Sequence, residues 1–227
     1  MAIISLAQKK ETQARGYFDR MISQPEQNDL QLNTYIWVCN EYLKEQKYTD
    51  VLRIAAQAEK NFPGKDLLEI KYFEAEAMRG LGRCDEAIKE YELLTSSKDK
   101  NAYTGSAHIG HGLCLAGAQK YDEARGEYQK SMDENADDDT VTLHARFEMA
   151  NAYFAQGNFE EALKFYVLVS TLYNDAHYCS ESLLSAGQIL ERLQRKADAL
   201  KMYTEILEQY KNTPAAKTAQ ERTQSLK

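Results

Sequence analysis

Gly157-Asn-Phe-Glu-Glu-Ala-Leu-Lys-Phe-Tyr166 reads as the end of one helix, a tight joint and the start of another. Four other stretches repeat it: QKYTDVLRIAAQAEKNFP from Gln46, GRCDEAIKEYELL from Gly82, QKYDEARGEYQKS from Gln119 and QRKADALKMYTEI from Gln194. Each opens on Gly or Gln, has a small or apolar residue five positions later and an aromatic or Ala four beyond that. The small positions, Val51, Ala87, Ala124, Ala162 and Ala199, are separated by 36, 37, 38 and 37 residues. A period sustained in this way marks a chain built from stacked supersecondary units.

A second pattern precedes each joint. Tyr35, Val38, Cys39 and Tyr42 stand at i, i+3, i+4 and i+7, as do Arg146, Met149, Ala150 and Tyr153, and Leu183, Ala186, Gly187 and Leu190. That is one stripe of a 3.6-residue helix. After the joint, Ala162, Phe165, Tyr166 and Val169 form a matching stripe on a second helix. Small residues at Ala75, Gly112, Ala150 and Gly187 let two backbones approach closely, so each unit is a helix hairpin. With three prolines and eleven glycines, and polar residues that are mostly strong helix formers, the chain reads as all-α.

The pattern resembles the tetratricopeptide repeat, most closely in RFEMANAYFAQGNFEEALKFYVLV (146–169), and the resemblance covers about residues 30 to 213. It implies a right-handed superhelix, an α-solenoid of antiparallel hairpins. The period is longer than the usual 34 residues, and Pro63 alone occupies the family's repeat-end proline position. The longer period and the terminal tails look like the bacterial cell-envelope coordinators and outer-membrane assembly lipoproteins of this family. The expected organisation is a single domain over 1–227, with a capping helix in 1–28, repeats at 29–64, 65–98, 102–138, 139–174 and 175–213, and a capping helix in 214–227. Ile3, Ala7, Ala14, Phe18 and Met21 give the first cap its apolar stripe, closed by Pro25. The last cap begins at Pro214 and has few large apolar residues, as a solenoid end needs for solubility.

The formal charge of −7 is uneven: residues 130–180 hold nine Asp or Glu against three Lys or Arg. That balance argues against a general nucleic-acid binder. No run approaches the length of a membrane span, and MAIISLAQKKETQ lacks the layout of a secretory signal. The cysteines, Cys39, Cys84, Cys114 and Cys179, have no C-x-x-C spacing and read as small buried hydrophobes, which suits a reducing compartment and a cytoplasmic location. A periplasmic location is the alternative if a leader has been removed.

His108, His111 and Cys114 form the one constellation with ligand chemistry. The i, i+3, i+6 spacing turns the third group away from the first on a straight helix, so packing is the expected role and a metal or small-ligand component the alternative. DENADDDT (133–140) lacks the glycine and the twelfth-position glutamate of a calcium loop, and is expected to cap the next helix through Asp139 or Thr140. No nucleotide-binding or hydrolase motif occurs, so neither a cofactor nor a catalytic residue is expected.

By resemblance, the first helices of the repeats line a concave groove. The positions one step from the buried stripe are Ile36 and Asn40, Tyr72 and Glu76, Ile109 and Leu113, Phe147 and Asn151, and Leu184 and Gln188, with Phe154 following on the same face. About half are expected to be fully buried. Chaperone-binding relatives carry Lys at the first groove position, where this chain has Ile36, Tyr72, Ile109, Phe147 and Leu184. The groove is therefore expected to take an amphipathic helix or an extended segment with apolar anchors. The resemblance thus implies a non-enzymatic scaffold for a protein or peptide, without nucleic acid or direct membrane insertion, self-association being open.

Overall fold

At Gln46, Gly82, Gln119, Gly157 and Gln194, the opening residue of all five repeated stretches, φ is positive, between 57° and 82°. Each closes a helix in the same way. The amide of this residue donates to a carbonyl three residues back, and the next amide donates to one five back, as in Gly157 to Phe154 (3.0 Å) and Asn158 to Tyr153 (2.9 Å). These paired bonds satisfy the last carbonyls of one helix while the left-handed residue turns the chain into the next. The 36- to 38-residue period is thus the recurrence of one turn.

The computed structural model describes residues 10–24, 30–96 and 102–226, and these form twelve helices with no strand. The chain forms two compact units, Met1–Cys114 and Leu115–Lys227. In the first, α1 (Glu11–Ile22) packs on the hairpin of α2 (Leu32–Lys44) and α3 (Tyr48–Asn61), which packs in turn on α4 (Leu68–Gly80) and α5 (Cys84–Ser96). Helix α6 (Thr104–Gly117) follows. In the second unit, α7 (Tyr121–Glu134) precedes the hairpins α8 (Asp139–Ala155) with α9 (Phe159–Leu172) and α10 (Ala176–Arg192) with α11 (Lys196–Gln209). Helix α12 (Pro214–Leu226) packs on α10 and α11. The fold is all-α and of the solenoid type, each hairpin adding to the previous one within its unit.

The stripes read from the sequence form the cores, except that Arg146, Tyr153 and Phe165 are only half-buried. Tyr35, Val38, Cys39 and Tyr42 are buried, as are Leu183, Ala186 and Leu190, and after the joints Val51, Ala87, Ala124, Ala162 and Ala199 are wholly inaccessible. Nine residues past each left-handed turn, Tyr91, Tyr128, Tyr166 and Tyr203 are buried, while the equivalent Ala55 fills the smaller site in the first hairpin. Burying each large side chain contributes roughly 1.5–3 kcal/mol. The rings fit because small residues face them: the Tyr203 ring lies over Gly187 and the Tyr91 ring over Gly110, where a Cβ would collide.

Two local expectations shift. The N-cap of α8 is Asp138, whose carboxylate accepts from the amides of Thr140 (2.9 Å) and Val141 (3.1 Å), so the helix begins with Asp139 and Thr140 inside its first turn. Asp175 caps α10 in the same way. In the first cap, Ala14 is buried and Phe18 packs edge-on against Trp37, but Met21 is exposed and Ile22 takes the core position. Ile3, Ala7 and Pro25 lie outside the described residues. Polar anchors also hold α1: the Asp19 carboxylate accepts from Arg53 on α3 (2.8 and 3.0 Å) and from the Tyr42 hydroxyl, while Arg15 pairs with Glu45. The hydrogen bond from Arg53 to Asp19 raises the guanidinium's pKa further.

Candidate functional site

In the first unit, Ile36 and Asn40 on α2 are half-buried. Tyr72 on α4 stacks on Tyr103, with centroids 4.6 Å apart, and burial raises its pKa. Leu113 on α6 is half-buried, but Ile109 is only 2% exposed and belongs to the packing of its helix. Glu76 is engaged locally: it accepts from the Tyr91 hydroxyl (2.5 Å) and from Arg79 (2.6 Å).

In the second unit, the proposed face lies on α8 and α10. Phe147 packs edge-on against Tyr178 of α10, with centroids 5.2 Å apart, and against Tyr166 at 6.0 Å. Phe154 lies against Phe159, and the Arg192 guanidinium sits over both rings at 5.1 and 5.3 Å. Leu184 is buried, at 9% exposure, and Gln188 lines a small recess of about 170 Å³ with Glu191, Arg192 and Arg222. Asn151 accepts the Tyr166 hydroxyl proton (2.6 Å) and donates to Glu148 (3.0 Å). Burial pushes the Tyr166 phenol up to about 12.

None of the eleven residues read as groove-lining is exposed: two are buried and nine half-buried. The fully buried share is therefore smaller than the expected half. Tyr72, Ile109, Leu113, Phe147 and Phe154 therefore form no row of exposed apolar side chains; Tyr103 covers Tyr72, and Tyr178 of the following hairpin covers Phe147. A hydroxyl bond recurs as well: Tyr91 with Glu76, Tyr166 with Asn151 and Tyr203 with Glu191 each join the second helix of a hairpin to its first. A buried hydroxyl without such an acceptor would cost about 1–3 kcal/mol. Glu76 and Asn151 thus have a structural duty that the sequence did not reveal.

The histidine constellation comes apart. His108 is buried, His111 is half-buried, and the sulfur of Cys114 is bonded to that of Cys84, with Cα atoms 5.4 Å apart. A thiolate is needed for metal ligation, so this cysteine is not a ligand. The bond also corrects the reading of all four cysteines as free hydrophobes; Cys39 and Cys179 alone are free and buried. Burial pushes the Cys39 thiol up to about 12, consistent with an inert core residue. Among the described residues no group of three or more His, Cys, Asp or Glu side chains is placed to hold a metal. Among them, too, no helix is long and apolar enough to cross a membrane.

The structure adds a feature that register did not indicate. A cleft of about 730 Å³ opens between the end of α7, the start of α8 and the end of α9. The α9 side is Phe165, Leu168, Leu172 and Tyr173; the α7 and α8 side carries Gln129, Met132, Asp133, Ala136 and Asp139, with Thr142 and Arg146. Arg146 donates to the Tyr173 hydroxyl, which donates to Thr142 (3.0 Å).

The tetratricopeptide repeat model matches residues 103–175 and 140–212. A comparison with curated proteins finds no match. Among solved structures, the chain is similar to PilW, a widely conserved type IV pilus biogenesis factor, at 16% identity and a TM-score of 0.75, covering 96% of this chain and 94% of that one. It is also similar to pilF of Pseudomonas aeruginosa, at 14% identity and a TM-score of 0.65, covering 96% and 93%. A third similar structure is YrrB, a tetratricopeptide-repeat protein with an unusual peptide-binding site, at 17% identity and a TM-score of 0.56, covering 90% and 97%. At these identities the likeness speaks to the fold, and repeats of this kind act as scaffolds for protein–protein interaction. With the repeated left-handed turn, the buried stripes and the family match in agreement, residues 103–212 are tetratricopeptide repeats and the described residues share the fold of that family.

Proposed function

We propose that the protein is a non-enzymatic scaffold that binds a segment of a partner protein along the first helices of its repeats. The observation that carries this reading is the α8–α10 face: Phe147, Phe154 and Gln188 stand on it half-buried, beside the recess that Arg192 and Arg222 help to line. A half-covered aromatic row offers apolar contact without reorganisation of the fold, and the Gln188 amide supplies a polar group at its edge. In the first unit the corresponding positions are Ile36, Asn40, Tyr72, Glu76 and Leu113. The partner class follows from these side chains: an amphipathic helix or an extended peptide with apolar anchors. The disulfide between Cys84 and Cys114 favours an oxidising compartment over the cytoplasm as the site of action.

The test replaces Phe154 and Gln188 with alanine, leaving Phe147 and its contacts with Tyr166 and Tyr178 in place. Wild type and variant are used as baits in native extract, with a thermal melt to confirm folding. Loss of the recovered partners from a folded variant is expected. Equal recovery of the same proteins would remove this face from consideration.

A further inference from the structure

The cleft between α7, α8 and α9 shares α8 with the α8–α10 face but is built differently. Helix α9 satisfies its own hairpin with Ala162, Tyr166 and Val169, which are buried. Phe165, Leu168 and Leu172 form a second stripe at i, i+3 and i+7, rotated from the first by about 90° and extending along about 10 Å of helix. Leu168 is 41% exposed and Leu172 56%, and the adjacent Val167 is 39% exposed. These three are half of the six large apolar side chains exposed among the described residues. Phe165 also stacks on Tyr153 of α8, with centroids 5.6 Å apart, whereas Leu168 and Leu172 lie outside the buried core of the hairpin.

The opposite wall supplies the second constraint. Asp133 and Asp139 line the cleft, and Asp137 and Asp138 stand in the joint beside them. The one cationic side chain in the lining is Arg146, which donates to the Tyr173 hydroxyl. An apolar wall facing a mixed wall, in which Met132 and Ala136 stand beside the carboxylates of Asp133 and Asp139, selects an occupant with aliphatic side chains and positive charge along one edge. A phosphate-bearing surface, whether membrane or nucleic acid, would meet carboxylates and be repelled. The length of the apolar stripe matches two turns of helix with anchors at i, i+3 or i+4, and i+7.

We infer that this cleft is a second docking site, and that its occupant is a helical segment of another protein with aliphatic residues on one face and Lys or Arg along one edge. The leucines would seat against Phe165, Leu168 and Leu172, and the cations would lie toward Asp133 and Asp139. The site does not depend on the α8–α10 face, and a scaffold with both surfaces could hold two segments at once.

The probe is a synthetic amphipathic helical peptide with three leucines at i, i+3 and i+7 and lysines along one edge, titrated to millimolar concentration into the full-length, isotope-labelled protein. Expected are amide shifts in Leu168, Leu172, Asp133 and Asp139. Affinity should fall by about tenfold or more in the Leu168→Ser, Leu172→Ser variant, whose altered side chains are exposed, and should fall further as salt is raised. The same peptide with glutamates in place of lysines should not bind. The inference is overturned by absent shifts, by equal binding of the acidic peptide, or by undiminished binding to the double variant. It is also overturned if these amides shift with protein concentration alone, which would identify a second copy of the chain as the occupant. Shifts confined to Phe147, Phe154 and Gln188 would support the α8–α10 face while rejecting this cleft.

Discussion

Three of the five joints place glutamine where the backbone is left-handed: Gln46, Gln119 and Gln194 have φ of 57°, 62° and 58°. A side chain in that region costs about 1–2 kcal/mol relative to glycine in the folded state. Glycine returns about 0.4–1 kcal/mol of that through its greater freedom in the unfolded chain. The net expectation is a gain of about 0.5–1 kcal/mol for each Gln→Gly replacement, and the three sites lie far enough apart for the gains to add to about 1.5–3 kcal/mol. For a chain of this size that raises Tm by roughly 3–12 °C. All three glutamine side chains are exposed, and the closing bonds, such as Arg195 to Leu190 at 2.8 Å, are made by backbone atoms that the substitution leaves in place. Gln→Ala at the same sites is the control, because alanine keeps the strain and removes only the polar side chain. The reciprocal change is Gly157→Ala: no atom stands within 4 Å of the added Cβ, so the expected loss of about 1 kcal/mol is purely conformational. Denaturant midpoints for the single and triple variants decide the matter. If glycine stabilises no more than alanine does, the strain assigned to the joints is wrong.

Other tests address packing, covalent linkage and charge. Gly187→Ala should cost about 1–3 kcal/mol because the new methyl collides with the Tyr203 ring, whereas Gly126→Ala, an open position inside α7, should gain about 0.5–1 kcal/mol; paired thermal melts check the contrast. The Cys84–Cys114 bond closes a separation of 30 residues, so reduction or Cys84→Ser should cost about 3 kcal/mol, and intact-mass analysis with alkylation before and after reduction should show that only this pair changes under native conditions. An unaltered melt on reduction, with no new alkylation, would argue that the two thiols are not joined. Lys71 sits among Glu59 (2.5 Å), Glu74 (2.7 Å) and Glu90 (3.9 Å), so Lys71→Met should cost about 1–3 kcal/mol at pH 7 by leaving three carboxylates together. Burial raises the Glu74 pKa, while Lys71 opposes the rise. The variant removes that opposition, so its excess penalty is present above the unfolded carboxylate value and should fade as pH drops through the raised folded value. Equal deficits in urea midpoint at pH 7 and pH 4 would refute the charge explanation.

The fold was legible because its determinants are local. A left-handed turn and the small residue five positions later recur within a few residues of each other, and the core stripes follow from a single helical period. The features that sequence reading missed depend on distant partners. The Asp19–Arg53 anchor spans 34 residues, Cys84 and Cys114 are 30 apart without a recognisable spacing, and Tyr178 covers Phe147 from the following hairpin. Helical register gave each groove residue a face, but it could not say which neighbouring helix would close over that face. The apolar residues that fall outside the core stripe were the missed signal. Leu168 and Leu172 sit off the Ala162, Tyr166 and Val169 face and are exposed, so they lie outside the buried core of their own hairpin. The same holds for the acidic stretch before α8, which reads from sequence as a solvated joint with a capping residue. The structure shows Asp138 performing the cap, which leaves Asp133 and Asp139 on the wall facing those leucines. In a repeat protein, the core residues are set by the period and can be read from one unit. Binding residues break the period, so subtracting the shared stripe from each helix is a physical route to them.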